Sequence, residues 1–402
     1  MVDLRLAARG VRLPVALRIA VIYLAARAVT TLLFLLAAQV GASARHGEPA
    51  TLASMSMAWD AQWYWVVGTG GYPAELPRTA DGQVTQNAWA FLPVYPALCR
   101  MVSVATGSYP VAAIVVSFVA GYLACLALHA LLRSGLDDVA ATWAVVFFTA
   151  GPLAALAQVG YAETLFLLWL FLALVCVQRR RYGPLYLLVP LLGYTRPGVL
   201  AFALLLALHG ALLWRRRRDA ILGAREVVHI VLLGLMAAAV GLSWPLIAGA
   251  VTGVPGAYLE TELSWRRIWL PEAGDGFVPF EGVLQGAAMW ARLCGVPEVI
   301  GPLVLIALVG LVAWALAFEP HVRRLGAEVR LWSAAYLLYL LAVVFPQSSV
   351  FRLLVPLTPL TGALAAPRST AWRVGVLAAG LAGQWWWILQ MYGLGQTAWQ
   401  VP

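Results

Sequence analysis

The sequence has no lysine, so all 27 of its basic side chains are arginines. Charge of either sign is scarce. Asp, Glu, Lys and Arg make up 11% of 402 residues against 62% hydrophobic residues, and the mean hydropathy is +0.83. A water-soluble fold is excluded, because a chain of this length cannot hide so much apolar surface and needs lipid as its solvent. Cysteine is equally sparse. Cys99, Cys125, Cys176 and Cys294 form no CxxC pair and have no histidine at ligand spacing, which leaves neither a metal knuckle nor a disulfide framework. GxGxxG, P-loop and HExxH motifs, internal repeats and low-complexity tracts are missing too, so nucleotide binding has no support. Arginine in place of lysine, with an Ala/Leu/Val bias, is the composition of a GC-rich bacterial coding sequence.

Long apolar runs are abundant. They fall near residues 19–40, 110–132, 138–158, 161–178, 184–195, 198–214, 227–250, 299–318, 331–346, 353–366 and 372–392. Eleven crossings are expected, in one all-α integral membrane domain over residues 1–402. The net charge of +9 does not call for a nucleic acid, because the arginines cluster between apolar runs. With the N-terminus in the cytoplasm, Arg133, Arg179 to Arg181, Arg215 to Arg218 with Arg225, Arg323 with Arg324 and Arg330, and Arg368 with Arg373 all fall inside. That one-sidedness is what the positive-inside rule requires, and a miscount by one helix would spoil it. The C-terminus is then outside. Arg5, Arg9, Arg12 and Arg18 precede the first run, and Ala42-Ser43-Ala44 faintly resembles a signal-peptidase site. The run is too long for a cleaved signal and reads as an uncleaved helix. The spans at 184–195 and 353–366 are short and interrupted by Pro or Gly, which a broken or re-entrant helix would fit equally well.

Two long segments remain on the outer face, at about 41–109 and 251–298. Both are rich in Trp and Tyr, as expected of helices lying at the membrane surface. Asp60 stands in the first, between Trp59 and the run Gln-Trp-Tyr-Trp that includes Tyr64. A carboxylate held among rings beside a membrane suits proton abstraction, although an interfacial Asp that merely caps a short helix would look the same. Glu163, Arg196 and Arg352 fall at one expected depth near the outer surface, where a charge must be paired or face a cavity. A structural salt bridge explains them, and so does a pocket for an anionic ligand, since arginine's fork fits phosphate. Arg266 and Arg267 beside Trp265 either hold a lipid phosphate or anchor an interfacial helix. His46, His129, His209, His229 and His321 show no ligand spacing and receive no role.

WDAQWYWVVGTGGYP, AFLPVYPALCRMV, GYAETLFLLWLFLAL, GYTRPGVLAF and FRLLVPLTPL follow one another over residues 55–360. In that order they resemble the PIG-V family, which is similar to GPI mannosyltransferase 2 within the GT-C superfamily. The resemblance implies a GT-C-like fold and an inverting transfer of a hexose, mannose by family, from a polyprenyl-phosphate sugar. The acceptor would be a lipid, glycan or protein hydroxyl on the outer face of a bacterial plasma membrane. It implies that Asp60 is the catalytic base, with Glu163 and Arg196 as active-site or structural support. The sequence calls for no cofactor. A divalent metal is not indicated, although Asp60 and Glu163 could contribute to one. Bacteria of this composition are not expected to make GPI anchors, so the donor class carries over while the acceptor does not. Arg352 and Arg196, then Arg266 or Arg267, would steady the leaving phosphate, and the lipid tail would lie in a groove between helices. The rival readings are a secondary transporter or flippase using Glu163, Arg196 and Arg352, and an assembly protein in which Asp60 carries no chemistry.

Overall fold

A computed structural model describes residues 13–40, 50–217, 222–271 and 276–394. Arg5, Arg9, Arg12, the Ala42-Ser43-Ala44 site, His46 and Arg218 lie outside the described residues. The fold is all-helical, and among the described residues the β pairing is one isolated bridge between Arg78 and Val84. The longer helices are α1 (Val15–Val40), α2 (Asp60–Gly70), α3 (Val94–Thr106), α4 (Tyr109–Leu132), α5 (Asp138–Thr149), α6 (Glu163–Gln178) and α7 (Leu185–Gly193). They continue with α8 (Val199–Arg215), α9 (Ala224–Thr252), α10 (Ala257–Trp269), α11 (Glu281–Leu293), α12 (Ile300–Phe318), α13 (Ala327–Val343) and α14 (Thr370–Ile388). Among them α1, α4, α9 and α12 are long and apolar enough to cross a membrane, and α5, α6 and α8 are shorter apolar helices.

Packing follows from how each helix distributes its apolar residues. α6 is buried almost all round, from Glu163 to Val177, and lies against α4 as the centre of the molecule. α12 is apolar on every side and has no buried residue, the character of a helix bathed in lipid. Exposed Leu, Val and Ile on α1, α9 and α12 are ordinary surface in hydrocarbon and would be a liability in water.

The expected span at 138–158 is corrected. α5 stops at Thr149, and the chain turns through Gly151 and Pro152 into a short 3₁₀ helix at Ala154–Ala157. Proline lacks the N–H that would continue the helix, and Gly151 packs so tightly that a Cβ there would sit 2.7 Å from the Phe147 carbonyl. The freed carbonyls are satisfied by Arg27 of α1, whose guanidinium donates to the Thr149 and Ala154 oxygens. An arginine buried at 3% exposure in an apolar helix is thus explained by backbone it must hold. Arg373 does the same for the Ala365 carbonyl at 3.1 Å.

The interrupted span at 353–366 is a broken segment. After α13 the chain runs extended to a short helix at Val350–Leu353, a 3₁₀ turn at Val355–Leu360 and another short helix at Thr361–Ala365. Tyr336 Oη donates to the Leu353 carbonyl (2.8 Å) and Trp332 Nε1 to that of Pro356 (2.9 Å). On the other side Trp269 Nε1 donates to Gln347 Oε1 (2.8 Å) and Trp290 Nε1 to the Pro346 carbonyl (2.7 Å). Irregular backbone at this depth is therefore tied down from both flanks, as a low-dielectric setting demands.

Over their described residues the two long segments carry α2, α3, α10 and α11 and are tied to each other and to α9. Asn87 Nδ2 donates to Thr261 Oγ1 at 2.8 Å, and Trp244 Nε1 donates to the Trp89 carbonyl at 2.9 Å. Tyr72, Trp89 and Trp244 stack beneath them in a small aromatic core.

Candidate functional site

Four charged residues from distant parts of the chain form one alternating row: Arg196, Glu163, Arg352, Asp60. Glu163 Oε1 pairs with Arg196 and, at 3.1 Å, with Arg352 Nη1, which also pairs with Asp60 Oδ2. Glu163 is the most enclosed, at 2% side-chain exposure, while the two ends of the row are more open, Arg196 at 14% and Asp60 at 19%.

Local structure explains why each residue arrives there. Asp60 is the first residue of α2 and Glu163 the first of α6, so both carboxylates sit at helix N-termini, where unpaired N–H groups favour negative charge. Arg196 is carried by the turn between α7 and α8. Gly198 follows it at φ 137°, a conformation side chains rarely adopt, and a Cβ there would lie 3.3 Å from the Tyr336 ring. Arg352 comes from the short helix in the broken segment, with its guanidinium 5.1 Å from the centre of the Tyr161 ring. Trp59, immediately before Asp60, has φ 57°, a strained backbone for a bulky residue. Its indole N–H donates to the Met391 carbonyl at 3.1 Å, which fixes the entry into α2.

Tyr64 lies one turn after Asp60 and is buried edge-on against Phe91 and Tyr95. It feels all four charges of the row, as does Tyr392 three of them. Tyr161 and Tyr392 complete an aromatic wall. Asp60, Glu163, Arg196, Arg352, Trp59 and Tyr64, all singled out from sequence, are therefore brought together.

Arg266 and Arg267 are differently employed. Arg266 donates to Gln285 Oε1 and lies 3.7 Å from Glu281 on α11, while Arg267 donates to the Val84 carbonyl at 2.5 Å. These contacts brace the segments on either side of α10 and α11. His129 pairs with Asp138 at 3.2 Å, and His209 lies near Glu328 at 3.7 Å, away from the row. Among the described residues no three of His, Cys, Asp and Glu are grouped to hold a metal ion. Asp60 and Glu163 are both engaged by Arg352.

Sequence reasoning missed Glu262, a half-buried residue of α10 whose carboxyl is pushed up to about 7 by burial, with Asp60's charge adding to the rise and a Tyr258 hydrogen bond opposing it. The available signal was its spacing, four residues after Tyr258 and three before Trp265.

An apolar cavity of about 770 Å³ opens beside the row, between α1, α4, α5, α6 and α14. Glu163, Thr164, Val322 and Phe351 are among the residues that line it. In comparisons with known proteins, no family model matches the chain and no curated protein matches it.

Proposed function

We propose that the protein is an inverting glycosyltransferase of GT-C type that moves a hexose from a polyprenyl-phosphate sugar to an acceptor hydroxyl on the outer face of a bacterial plasma membrane. The observation that carries this reading is the row Arg196–Glu163–Arg352–Asp60, which reaches an apolar cavity through Glu163. A carboxylate, two arginines and an oily slot are the groups that a lipid-phosphate donor needs. The resemblance of five segments to the PIG-V family points the same way and supplies mannose as the sugar. Eleven crossings, an inward N-terminus and two outer segments belong to the same proposal.

The chemistry follows from the charges. The donor's phosphate competes with Asp60 for Arg352, so binding of the donor frees the carboxylate beside the anomeric carbon. Asp60 then accepts the proton of the acceptor hydroxyl, whose oxygen attacks that carbon as the carbon–oxygen bond to phosphate breaks. A single displacement inverts the centre. The electron pair leaves on the phosphate, where Arg352, backed by Arg196, meets the charge as it grows. The tail lies in the cavity, held by area burial.

The test is binding of polyprenyl phosphate to the purified chain, read as thermal stabilisation. Wild type is expected to gain stability in a concentration-dependent way that Arg352→Lys, which keeps the charge but loses the fork, shifts to about tenfold higher ligand concentration. Equal stabilisation of both proteins would remove Arg352 from the phosphate site. A transporter also binds its ligand, but it yields no glycosylated product.

A further inference from the structure

A second apolar cavity, of about 910 Å³, lies between α8, α11, α12 and α13, and Leu354 lines both it and the first. It exists because α12 stands off α13. Near its start Gly301 fits so closely against the Ala287 carbonyl of α11 that no Cβ could be added, and near its end the Leu316 carbonyl accepts from Arg330 Nε of α13 at 2.6 Å. Between those two fastenings Leu308, Val309 and Val312 of α12 line the cavity and are nonetheless exposed, Leu308 at 53%. Apolar walls without packing partners forfeit their dispersion energy, so in a membrane such a gap is filled by hydrocarbon. The cavity also has a charged end. Among the described residues that line it, Arg216 and Arg330 alone carry charge. Arg330 is placed there by its bond to Leu316. Arg216 follows the end of α8, two turns beyond His209, which lies 3.7 Å from Glu328 in the first turn of α13. Neither arginine has a carboxylate partner among the described residues. Pro346, Val350 and Leu353 form the other end, and the 17 residues of α13 separate the two by about 25 Å.

We propose that this cavity is a binding site for an anionic phospholipid of the surrounding membrane, with its phosphate between Arg216 and Arg330 and an acyl chain lying along α12 and α13. The guanidinium fork matches the free oxygens of a phosphate, and a slot with no other charge in its walls takes hydrocarbon. The occupant is a membrane lipid and not the polyprenyl donor, because a phosphate held at the start of α13 is a helix length away from Arg352, which belongs to the far end with Val350 and Leu353. Its role is support. Val350, Leu353 and Leu354 line this cavity while Phe351 and Leu354 line the first, so the short helix that carries Arg352 is walled by both. A chain that fills the second cavity packs against that helix and keeps it from settling into the gap. The site stands whether or not the protein is a transferase.

The test uses the purified full chain, stripped of lipid in detergent and titrated with dioleoylphosphatidylglycerol or dioleoylphosphatidylcholine, with bound lipid counted by native mass spectrometry. Phosphatidylglycerol is expected to bind at least about fivefold more tightly, since the choline cation offsets its own phosphate. Arg216 is exposed, so Arg216→Gln should fold, and it is expected to weaken phosphatidylglycerol about fivefold, the worth of one arginine beside lipid phosphate. Arg217→Gln removes a neighbouring charge that is stacked on Trp214 and does not line the cavity, and is expected to change little. Location is read separately. Phosphatidylglycerol with a diazirine in its acyl chain is expected to crosslink to α12 and α13, and Ala313→Trp, which fills the cavity from the exposed face of α12, to cut that crosslinking about tenfold. Equal binding of the two lipids, equal losses in Arg216→Gln and Arg217→Gln, or crosslinks that fall elsewhere and ignore Ala313→Trp would overturn the site. Displacement of phosphatidylglycerol by an equal concentration of polyprenyl phosphate would overturn the choice of occupant.

Discussion

Arg352 is shared between two carboxylates, and that sharing makes its substitution informative. Arg352→Ala leaves Glu163 buried with one partner and Asp60 with none, and breaking a buried pair in this way costs ~3–5 kcal/mol, so little folded protein is expected in detergent by size-exclusion chromatography. Arg352→Lys keeps the charge but loses the planar fork. It should fold, with donor KM raised about tenfold in a transfer assay. The Glu262 carboxyl gives a stability signature of definite sign. Its folded value of about 7 exceeds its ordinary 4.5, so between those values folding takes up a proton and stability falls as pH rises. Glu262→Gln removes the dependence, and the variant should therefore melt higher than wild type above about pH 7 and gain nothing near pH 4.5. Asp60, Glu163, Arg196 and Arg352 were legible in sequence because an isolated charge in apolar surroundings demands a reason. Glu262 was not, because α10 also carries Glu260, Arg266 and Arg267 and a fourth charge there looks like solvated surface. Arg266 and Arg267 were left open for the converse reason: charge next to Trp265 suits a phosphate or an anchor, and their partners Gln285 and Val84 are remote in sequence.

Helices were largely readable from hydropathy. The run expected at 110–132 is α4 at Tyr109–Leu132, and that at 299–318 is α12 at Ile300–Phe318. The misreading at 138–158 arose because Gly151-Pro152 is apolar enough to pass unnoticed, while the arginine that satisfies the resulting carbonyls lies over a hundred residues earlier, in α1. The break after α13 was anticipated from its prolines, although the tryptophans that fix it come from α10, α11 and α13. The turn carrying Arg196 depends on Gly198 at φ 137°. Gly198→Ala should cost ~1–3 kcal/mol, seen as a lowered melting temperature, with transfer activity falling because Arg196 is displaced from Glu163.

For the whole molecule, the defining feature is a polar row that meets an oily cavity at Glu163. Composition foretold helices long and apolar enough to cross a membrane, but it does not reveal a cavity, whose walls come from helices far apart in sequence. Filling it discriminates among substrates. Ala363→Trp, which intrudes on the lining, should raise KM for a long-chain donor about tenfold or more and leave a short-chain donor little changed, because only the long tail reaches that depth. The central claim is tested most directly by transfer of radiolabelled mannose from synthetic polyprenyl-phosphate mannose to membrane lipids and proteins, by purified wild type and Asp60→Asn. Labelled product from wild type, reduced at least about a hundredfold by a variant that still folds, is the expected result. Equal transfer by both proteins, or none by wild type, would contradict it.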